Sequence, residues 1–229
     1  MPKSIAIGCS VASGLHNPAM PTVPPSTTPE IPPPGPKLIL ASTSRYRREL
    51  LRRLGLHFKV VAPLTDETAL PDETPAALAR RLALAKAQAV AALFPEAVVI
   101  GSDQVADLDG MALGKPGHHD AAAAQLQRLS GRSAVFQTAV AVVRASTGFS
   151  QVLLASVDVQ FRLLTAAEIE HYLHLEQPYD CAGSAKCEGL GIALLTRIDS
   201  DDPTALIGLP LIRTCSLLRQ AGLDPLAQR

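Results

Sequence analysis

Residues 40–51, LASTSRYRRELL, combine hydroxyl and guanidinium side chains at a predicted strand-to-helix junction. Three arginines fall in the first turn of the predicted helix: Arg45, Arg47 and Arg48. Cations are unfavourable there because a helix N-terminus already carries about half a positive charge. Free backbone N–H groups, the hydroxyls of Ser42 and Ser44 and the guanidinium groups would together bind a phosphate. The segment therefore predicts an anion site; the alternative is a solvated basic helix face with Tyr46 packed inward.

Asp103 is a candidate metal ligand or general base. It is predicted to close a buried strand at residues 97–102, and ligand sites of α/β sheets lie at the carboxyl ends of strands. A carboxylate at that position can hold a divalent cation or accept a proton from water. It can equally do no more than cap the following turn. Lys115, just beyond a predicted hairpin turn at residues 107–110, is open to the same choice between a functional and a structural role.

Lys86 lies in line with Leu78 and Leu82 on the apolar stripe of a predicted helix. A lysine at such a position either extends its ammonium group out to water or reaches a buried anion. Glu67, in the segment before that helix, belongs either to an exposed loop or to a metal site.

Lys186 and Glu188 stand two positions apart in a glycine-containing loop, residues 183–189. In an extended chain, side chains with this spacing project to the same side. Lys186 would then hold phosphate while Glu188 accepts hydrogen bonds from a base edge. A hydrated surface loop is the alternative.

Strand-like and helix-like patterns alternate along the chain from Lys37 onward. Strands are predicted at residues 38–41, 58–62, 97–102, 134–144, 152–163 and 192–198. Helices are predicted at residues 44–54, 75–94, 120–129, 165–176 and 210–220. Thr165 and Glu168 form a capping box at the start of the fourth helix. The alternation predicts an α/β fold, with a mixed sheet because two of the strands are joined as a hairpin.

The composition limits what the protein can bind. Lys plus Arg equals Asp plus Glu at 21 each, aromatic residues make up 3%, and Trp is absent. Zero net charge and few aromatic residues argue against a nucleic-acid-binding surface. No apolar run reaches the roughly 18–20 residues of a membrane-spanning helix. Four cysteines without metal-ligand spacing predict reduced thiols in a cytoplasmic protein.

Residues 1–36 differ in kind from the rest of the chain. They contain ten of the 19 prolines, and proline lacks the backbone N–H that helices and sheets need. We predict a disordered, partly polyproline-II extension, either passive or carrying a motif for a partner, ahead of a domain at residues 37–229.

Seven motifs, taken in order, give this domain a close resemblance to the Maf-like nucleotide pyrophosphatases. They are LASTSRYRRELL at 40–51, DET at 66–68, KAQ at 86–88, GSDQV at 101–105, GKP at 114–116, CAGSAKCEGLGI at 181–192 and DPTALIGLPLI at 202–212. The glutamine that follows Asp103 is typical of the YceF-type branch of that family.

The resemblance implies a Maf/ITPase-like, two-lobed α/β fold with a central mixed, twisted sheet and a cleft between the lobes. It also implies hydrolysis of a nucleoside triphosphate to a monophosphate and diphosphate with a divalent cation, Mg²⁺ or Mn²⁺, often in a homodimer. Asp103 matches the family's proton acceptor. Tyr46, Gln104 and Glu188 match positions associated with substrate choice, and the branch implies 7-methyl-GTP.

Together, the residues and the resemblance assign roles to the candidate side chains. Metal binding is expected of Glu67 and Asp103. Phosphate binding, in part catalytic, is expected of the following residues: Ser42, Ser44, Arg47, Arg48, Lys86, Lys115 and Lys186. The competing hypotheses are a pyrophosphatase for dTTP, UTP or another modified nucleotide, and a nucleotide-binding regulator of septum formation. The main expectation is a cytoplasmic enzyme with a small nucleotide as its substrate and with no nucleic acid or membrane as partner.

Overall fold

Residues 35–227, the part of the chain that the computed structural model describes, form five α-helices and a seven-stranded mixed sheet. The strands are β1 (Leu38–Ala41), β2 (Phe58–Val61), β3 (Val98–Leu108), β4 (Met111–Leu113), β5 (Ser133–Arg144), β6 (Phe149–Phe161) and β7 (Leu195–Asp199). The helices are α1 (Arg45–Arg52), α2 (Pro75–Ala91), α3 (His119–Leu129), α4 (Ala166–Glu176) and α5 (Leu211–Gln220). The predicted α/β fold with a mixed sheet is confirmed. The predicted disordered extension lies outside the described residues, except for its last two positions.

The strand order is β2-β1-β3-β5-β6-β7, with β4 paired to β3. β1 runs parallel to both β2 and β3, and the remaining neighbours pair in antiparallel fashion. β3, β5 and β6 are 11, 12 and 13 residues long, whereas β1 has 4 residues. The three long strands therefore extend beyond β1 and give the sheet two distinct ends.

Apolar clusters cover both ends of the sheet. Successive strand residues alternate between faces, so Ile39 and Ala41 pack against α2 while Leu38 and Leu40 pack against α1 and α5. At the other end, the far halves of β3, β5 and β6 pack against α3 and α4. These two ends are the two lobes, and one sheet runs through both. None of the helices within residues 35–227 is long and apolar enough to cross a membrane.

β3 is longer than the strand predicted at residues 97–102, and the prediction that Asp103 closes it is wrong. β5 continues to pair with β3 past Asp103, which lies opposite Ala139, and this pairing keeps the chain extended. The parallel partner β1 ends at Ala41, opposite Gly101. Asp103 thus lies just beyond the carboxyl end of the parallel part of the sheet, where ligand sites of α/β proteins are found.

Several predicted boundaries shift. Residues 190–194 form a 3-10 turn, so β7 begins at Leu195 and not at residue 192. β6 begins at Phe149, earlier than predicted, because it pairs with β5 directly after the turn that joins them. α1 and α2 end shortly before residues 54 and 94, since their last predicted residues lie in turns.

The local signals for turns and caps are confirmed. Thr165 and Glu168 form a capping box at the start of α4. Asp109 and Gly110 have φ angles of 53° and 82° in the turn between β3 and β4, as a two-residue hairpin turn requires. The side chain of Thr74 caps α2. Short-range side-chain chemistry therefore decides where these elements begin.

α2 approaches β3 very closely at Gly101. A Cβ atom at this glycine would lie 2.2 Å from the carbonyl oxygen of Ala83 and 2.6 Å from the amide nitrogen of Ala87. Both distances are far shorter than van der Waals contact, so only glycine permits the approach. The close packing brings Lys86 on α2 against Asp103 on β3.

Candidate active site

A cleft of about 650 Å³ lies between the two lobes. One wall is formed by the β1–α1 junction, the loop before α2 and α2 itself. The other wall is formed by the loop after β4 and by residues 177–188, which follow α4. The cleft contains most of the residues that the sequence singled out for chemistry.

The β1–α1 junction contributes hydroxyl groups and one arginine to the cleft. The Oγ of Ser42 accepts the N–H of Ser44 at 3.1 Å, and the Oγ of Ser44 caps α1 by accepting the N–H of Arg47 at 3.4 Å. The Nε of Arg47 donates to the carbonyl oxygen of Gly208 at 2.8 Å. Burial lowers the pKa of Arg47, while the negative charges of Asp103 and Glu67 act in the opposite direction. The junction therefore holds a partly desolvated guanidinium group beside two carboxylates.

Lys86 joins the two predicted metal ligands. Its Nζ lies 2.7 Å from the Oδ1 of Asp103 and 2.7 Å from the Oε1 of Glu67. Lys86 and Asp103 are only 5% and 7% exposed, so the lysine on the apolar stripe reaches a buried anion and does not extend to water. Burial acts to raise the pKa of Glu67, but hydrogen bonding to Lys86 and the nearby positive charges lower it overall. Glu67 therefore remains an anion beside Asp103.

The carboxylates of Asp103 and Glu67 also form a suitable oxygen donor pair for a divalent cation. Among residues 35–227, no group of three or more His, Cys, Asp or Glu side chains forms a complete metal site. Mg²⁺ rarely needs three protein ligands, because it is commonly bound by one or two carboxylates and completes its coordination with substrate phosphates and water. Both carboxylates lie 2.7 Å from one lysine nitrogen, so they face the same point at the edge of the cleft.

Two further predicted residues reach the cleft from the second lobe and from the sheet. Lys115 is exposed to the cleft from the loop after β4, and its charge helps to lower the pKa of Glu67. The amide nitrogen of Gln104 lies 2.9 Å and 3.0 Å from the carbonyl oxygens of Ala205 and Leu206. Gln104 thus lines the cleft and, through these two hydrogen bonds, stabilises the loop that follows β7.

Arg48 and Lys186 are not among the residues that line the cleft. Arg48 is exposed, and Lys186 forms an ion pair with Glu176. The expectation that Lys186 and Glu188 share one side was wrong, because residues 187–189 form a turn and not an extended chain. Only Glu188 of the two lines the cleft. Partial burial raises the pKa of Glu188, and the charges of nearby carboxylates add to this effect.

Arg45, one of the three arginines of the predicted anion site, lines the cleft, and so do Tyr179 and Asp180, which the sequence argument left unassigned. Arg45 and Asp180 come from opposite walls and lie 3.8 Å apart as an ion pair. The hydroxyl of Tyr179 forms a hydrogen bond with the Nδ1 of His119, at 3.2 Å. Nothing in the spacing of residues 177–180 indicated this position, because their approach to the β1–α1 junction depends on how the two lobes pack.

The fold and the cleft together define the class of protein. The chain belongs to the Maf-like protein family, whose model matches residues 37–221.

The chain is also similar to curated bacterial proteins. It is 66% identical over 192 residues to the 7-methyl-GTP pyrophosphatase of Polaromonas sp. strain JS666, covering 84% of this chain and 88% of that protein. It is 66% identical over 190 residues to the 7-methyl-GTP pyrophosphatase of Albidiferax ferrireducens, covering 83% and 96%. It is 63% identical over 187 residues to that of Xanthomonas campestris pv. campestris, covering 82% and 97%.

Proposed function

We propose that this protein hydrolyses 7-methyl-GTP to 7-methyl-GMP and diphosphate, removing a modified nucleotide from the cell. The observation that carries the proposal is the convergence of three cations, from three different elements, on one cleft beside two carboxylates. The cations are Arg47, Lys86 and Lys115. Glu67 lines the cleft with them, and Asp103 is nearly buried behind Lys86, to which it is bonded. The printed names of the similar proteins support the choice of substrate.

The cationic groups account for triphosphate binding. A nucleoside triphosphate carries about four negative charges, and guanidinium and ammonium groups bind phosphate oxygens through charge-assisted hydrogen bonds. Arg47 is fixed through its Nε, which bonds to Gly208, so its remaining N–H donors are held in a defined orientation. Lys86 and Lys115 approach from opposite walls of the cleft. These groups orient the triphosphate and stabilise the charge that develops as the phosphoanhydride bond breaks.

Asp103 is the proposed proton acceptor. Water attacks the α-phosphorus, the bond between the α- and β-phosphates breaks, diphosphate leaves, and Asp103 takes the proton that the water loses. The carboxylate is nearly buried and is held by Lys86 at 2.7 Å. The position of Asp103 is rigid because β3 is paired with β5 before, at and after this residue.

Asp103 and Glu67 are also the proposed ligands of a divalent cation, Mg²⁺ or Mn²⁺. When bound, such a cation neutralises phosphate charge and favours attack by water. The side chains of this protein bring the carboxylate oxygens together at Lys86, and hydrogen bonding to Lys86 helps to lower the pKa of Glu67.

Diphosphate release from a panel of nucleotides tests the substrate. Purified protein is given 7-methyl-GTP, GTP, dTTP and UTP under identical conditions, with Mg²⁺ or Mn²⁺. The highest kcat/KM is expected for 7-methyl-GTP. A preference for dTTP or UTP would contradict the choice of base, and nucleotide binding without diphosphate release would favour the regulatory hypothesis.

Removal of the metal is expected to abolish turnover. Dialysis against EDTA should reduce diphosphate release to background, and adding back Mg²⁺ or Mn²⁺ should restore it, because the substrate charge would otherwise be only partly neutralised. The control is dialysis against the same buffer without the chelator. Full activity after exhaustive chelation would show that the carboxylates act without a cation.

We further propose a homodimer located in the cytoplasm, as the family resemblance implies. Light scattering on the full chain measures the first property, and a mass of one chain at all concentrations would contradict it. Fractionation of cells that express the chain measures the second.

A further inference from the structure

Arg45, Tyr46 and Asp180 form a cluster that bridges the two walls of the cleft. The guanidinium carbon of Arg45 lies 4.7 Å from the centre of the Tyr46 ring, and its Nη2 donates to the Tyr46 hydroxyl at 2.6 Å. The Tyr46 hydroxyl in turn donates to the Oδ1 of Asp180 at 3.3 Å. The same guanidinium group is 3.8 Å from the Oδ2 of Asp180. A planar cation therefore contacts both an aromatic ring and a carboxylate.

This arrangement is easily displaced. The side chains of Arg45 and Asp180 are 59% and 54% exposed, and exposed ion pairs of this kind contribute only about 0–1 kcal/mol. Arg45 is the first residue of α1 and has a long, flexible side chain. A ligand that offers Tyr46 and Asp180 another planar cation would replace it at little cost.

The cleft has opposite charge at its two ends. At one end, Arg47, Lys86 and Lys115 outnumber the neighbouring carboxylates of Glu67 and Asp103, so the net charge there is positive. Asp180 and Glu188 supply negative charge at the other, and partial burial raises the pKa of Glu188 with a further contribution from Asp180. A ligand with a positive ring and a negative tail matches this distribution.

Tyr46 is already expected to take part in substrate choice. We propose that Asp180 is the counter-ion of a cationic, planar base stacked on Tyr46, and that Arg45 occupies this subsite until the base displaces it. The inference rests on the proposed function, since it takes 7-methyl-GTP as the substrate. Methylation at N7 gives the guanine ring a positive charge that GTP lacks. The ring can stack on Tyr46 as a guanidinium group does, while Asp180 faces it as a counter-ion. Arg45, once released, is one residue from the tyrosine and can turn towards the triphosphate or the solvent.

The charge of Asp180 is tested by Asp180→Asn, which preserves the size of the side chain and an oxygen acceptor for Tyr46. We expect kcat/KM for 7-methyl-GTP to fall by roughly two- to fivefold, the range that corresponds to ~0.5–1 kcal/mol for a charge pair at an exposed carboxylate. GTP should change by less than about twofold, because its base is neutral. The readout is therefore the ratio of the two substrates and not the activity alone.

Asp199→Asn is the matched control. Asp199 also forms an exposed ion pair with an arginine, Arg197, but outside the cleft, and its substitution should leave both substrates unchanged. An equal loss for both substrates in Asp180→Asn, or no loss for either, would overturn the subsite.

Binding measurements separate this inference from the proposed function. Calorimetric titration with 7-methyl-GMP and GMP reports on base recognition even if the protein does not turn over 7-methyl-GTP. A selective loss of 7-methyl-GMP affinity in Asp180→Asn would support the subsite whatever the reaction, and unchanged affinity would contradict it.

Arg45→Gln tests the displacement step. The probe is the nucleoside 7-methylguanosine, which has no phosphate for Arg45 to bind. We expect it to bind Arg45→Gln several-fold more tightly than the unchanged protein, because no resident cation competes for Tyr46 and Asp180. Equal or weaker binding would show that Arg45 does not occupy the base position.

Discussion

At the scale of single residues, the proposed chemistry depends on one lysine between two carboxylates. Lys86 and Asp103 are almost fully buried, and a buried charge is tolerated only when it is paired. The pair is therefore stable in the resting protein, and Glu67 adds a second carboxylate from the cleft side. Substrate phosphates would offer Lys86 further acceptors, which leaves Asp103 free to accept a proton.

Asp103→Asn is expected to lower kcat by roughly 10²-fold or more, the magnitude associated with loss of a general base. The amide keeps the shape of the side chain but has no basic oxygen. Diphosphate release from 7-methyl-GTP is the measurement, with circular dichroism to verify folding. Asp158→Asn, an exposed aspartate on β6, is the control, and near-normal turnover by Asp103→Asn would remove Asp103 from the mechanism.

At the scale of secondary-structure elements, hydrogen bonds from Arg81 on α2 hold the loop between β2 and α2, which carries Glu67. We call these hydrogen bonds the tether. The Nε and Nη2 of Arg81 on α2 bind the two carboxylate oxygens of Glu73 at 2.6 Å and 2.7 Å. The same Nη2 donates to the carbonyl oxygen of Thr68 at 2.9 Å. Hydrogen bonding to Arg81 lowers the pKa of Glu73 to about 2. The tether is therefore complete above the unfolded pKa of about 4.3 and is lost as the pH falls through about 2.

Arg81→Ala is expected to lower kcat/KM by roughly five- to tenfold, because the loop would no longer hold Glu67 beside Lys86. The diagnostic measurement is a double-mutant cycle with Glu67→Gln, since residues that act through one another are not additive. Arg81→Ala should have little further effect in the Glu67→Gln background. Arg80→Ala, an exposed neighbour on the same helix, is the control, and fully additive losses would contradict a positioning role.

Gly101→Ala is expected to destabilise the protein and to separate Lys86 from Asp103. The added methyl group would meet the carbonyl oxygen of Ala83 at 2.2 Å, so α2 must move away from β3. Overpacking of this kind costs about 1–3 kcal/mol, or roughly 2–12 °C in Tm for a chain of this size. Thermal unfolding and turnover are measured together. In Gly35→Ala the new Cβ has nothing within 4 Å, so an equal Tm for both variants would show that α2 packing is not tight.

At the scale of the whole molecule, the segment between β7 and α5 connects distant parts of the site. Its carbonyl oxygens bind Arg47 and Gln104. Asp202 anchors the segment: its carboxylate is fully buried and accepts the backbone N–H groups of Ile212 and Arg213 at the start of α5. The position of Arg47 in the cleft therefore depends on how α5 is attached to the sheet.

Asp202→Ala should lower the free energy of unfolding by about 3 kcal/mol, because the buried N–H groups and the partner Arg213 lose their acceptor. The corresponding fall in Tm is roughly 6–12 °C. Asp201→Ala removes the neighbouring carboxylate, which is 72% exposed, and should change the free energy by no more than about 0.5 kcal/mol. Similar losses in the two variants would show that Asp202 does not anchor the segment.

Much of the fold could be predicted because its signals are local. The caps at Thr74 and Thr165 and the turn at Asp109 and Gly110 require only neighbouring residues, and the structure confirms them. The length of β3 could not be predicted in this way, because it depends on pairing with β5. The same holds for the start of β7, where a 3-10 turn replaces the predicted strand.

The sequence by itself determined the alternation of strands and helices, the family, and the cluster of hydroxyl and cationic side chains at residues 40–51. These properties follow from residue types and short spacings. Only the tertiary structure decided which charges meet. It placed Lys86 between Glu67 and Asp103, left Arg48 outside the lining of the cleft, paired Lys186 with Glu176, and brought residue 180 to residue 45. The physical reason is that each of these charge pairs joins different elements of the chain, and only the packing of those elements brings the side chains together.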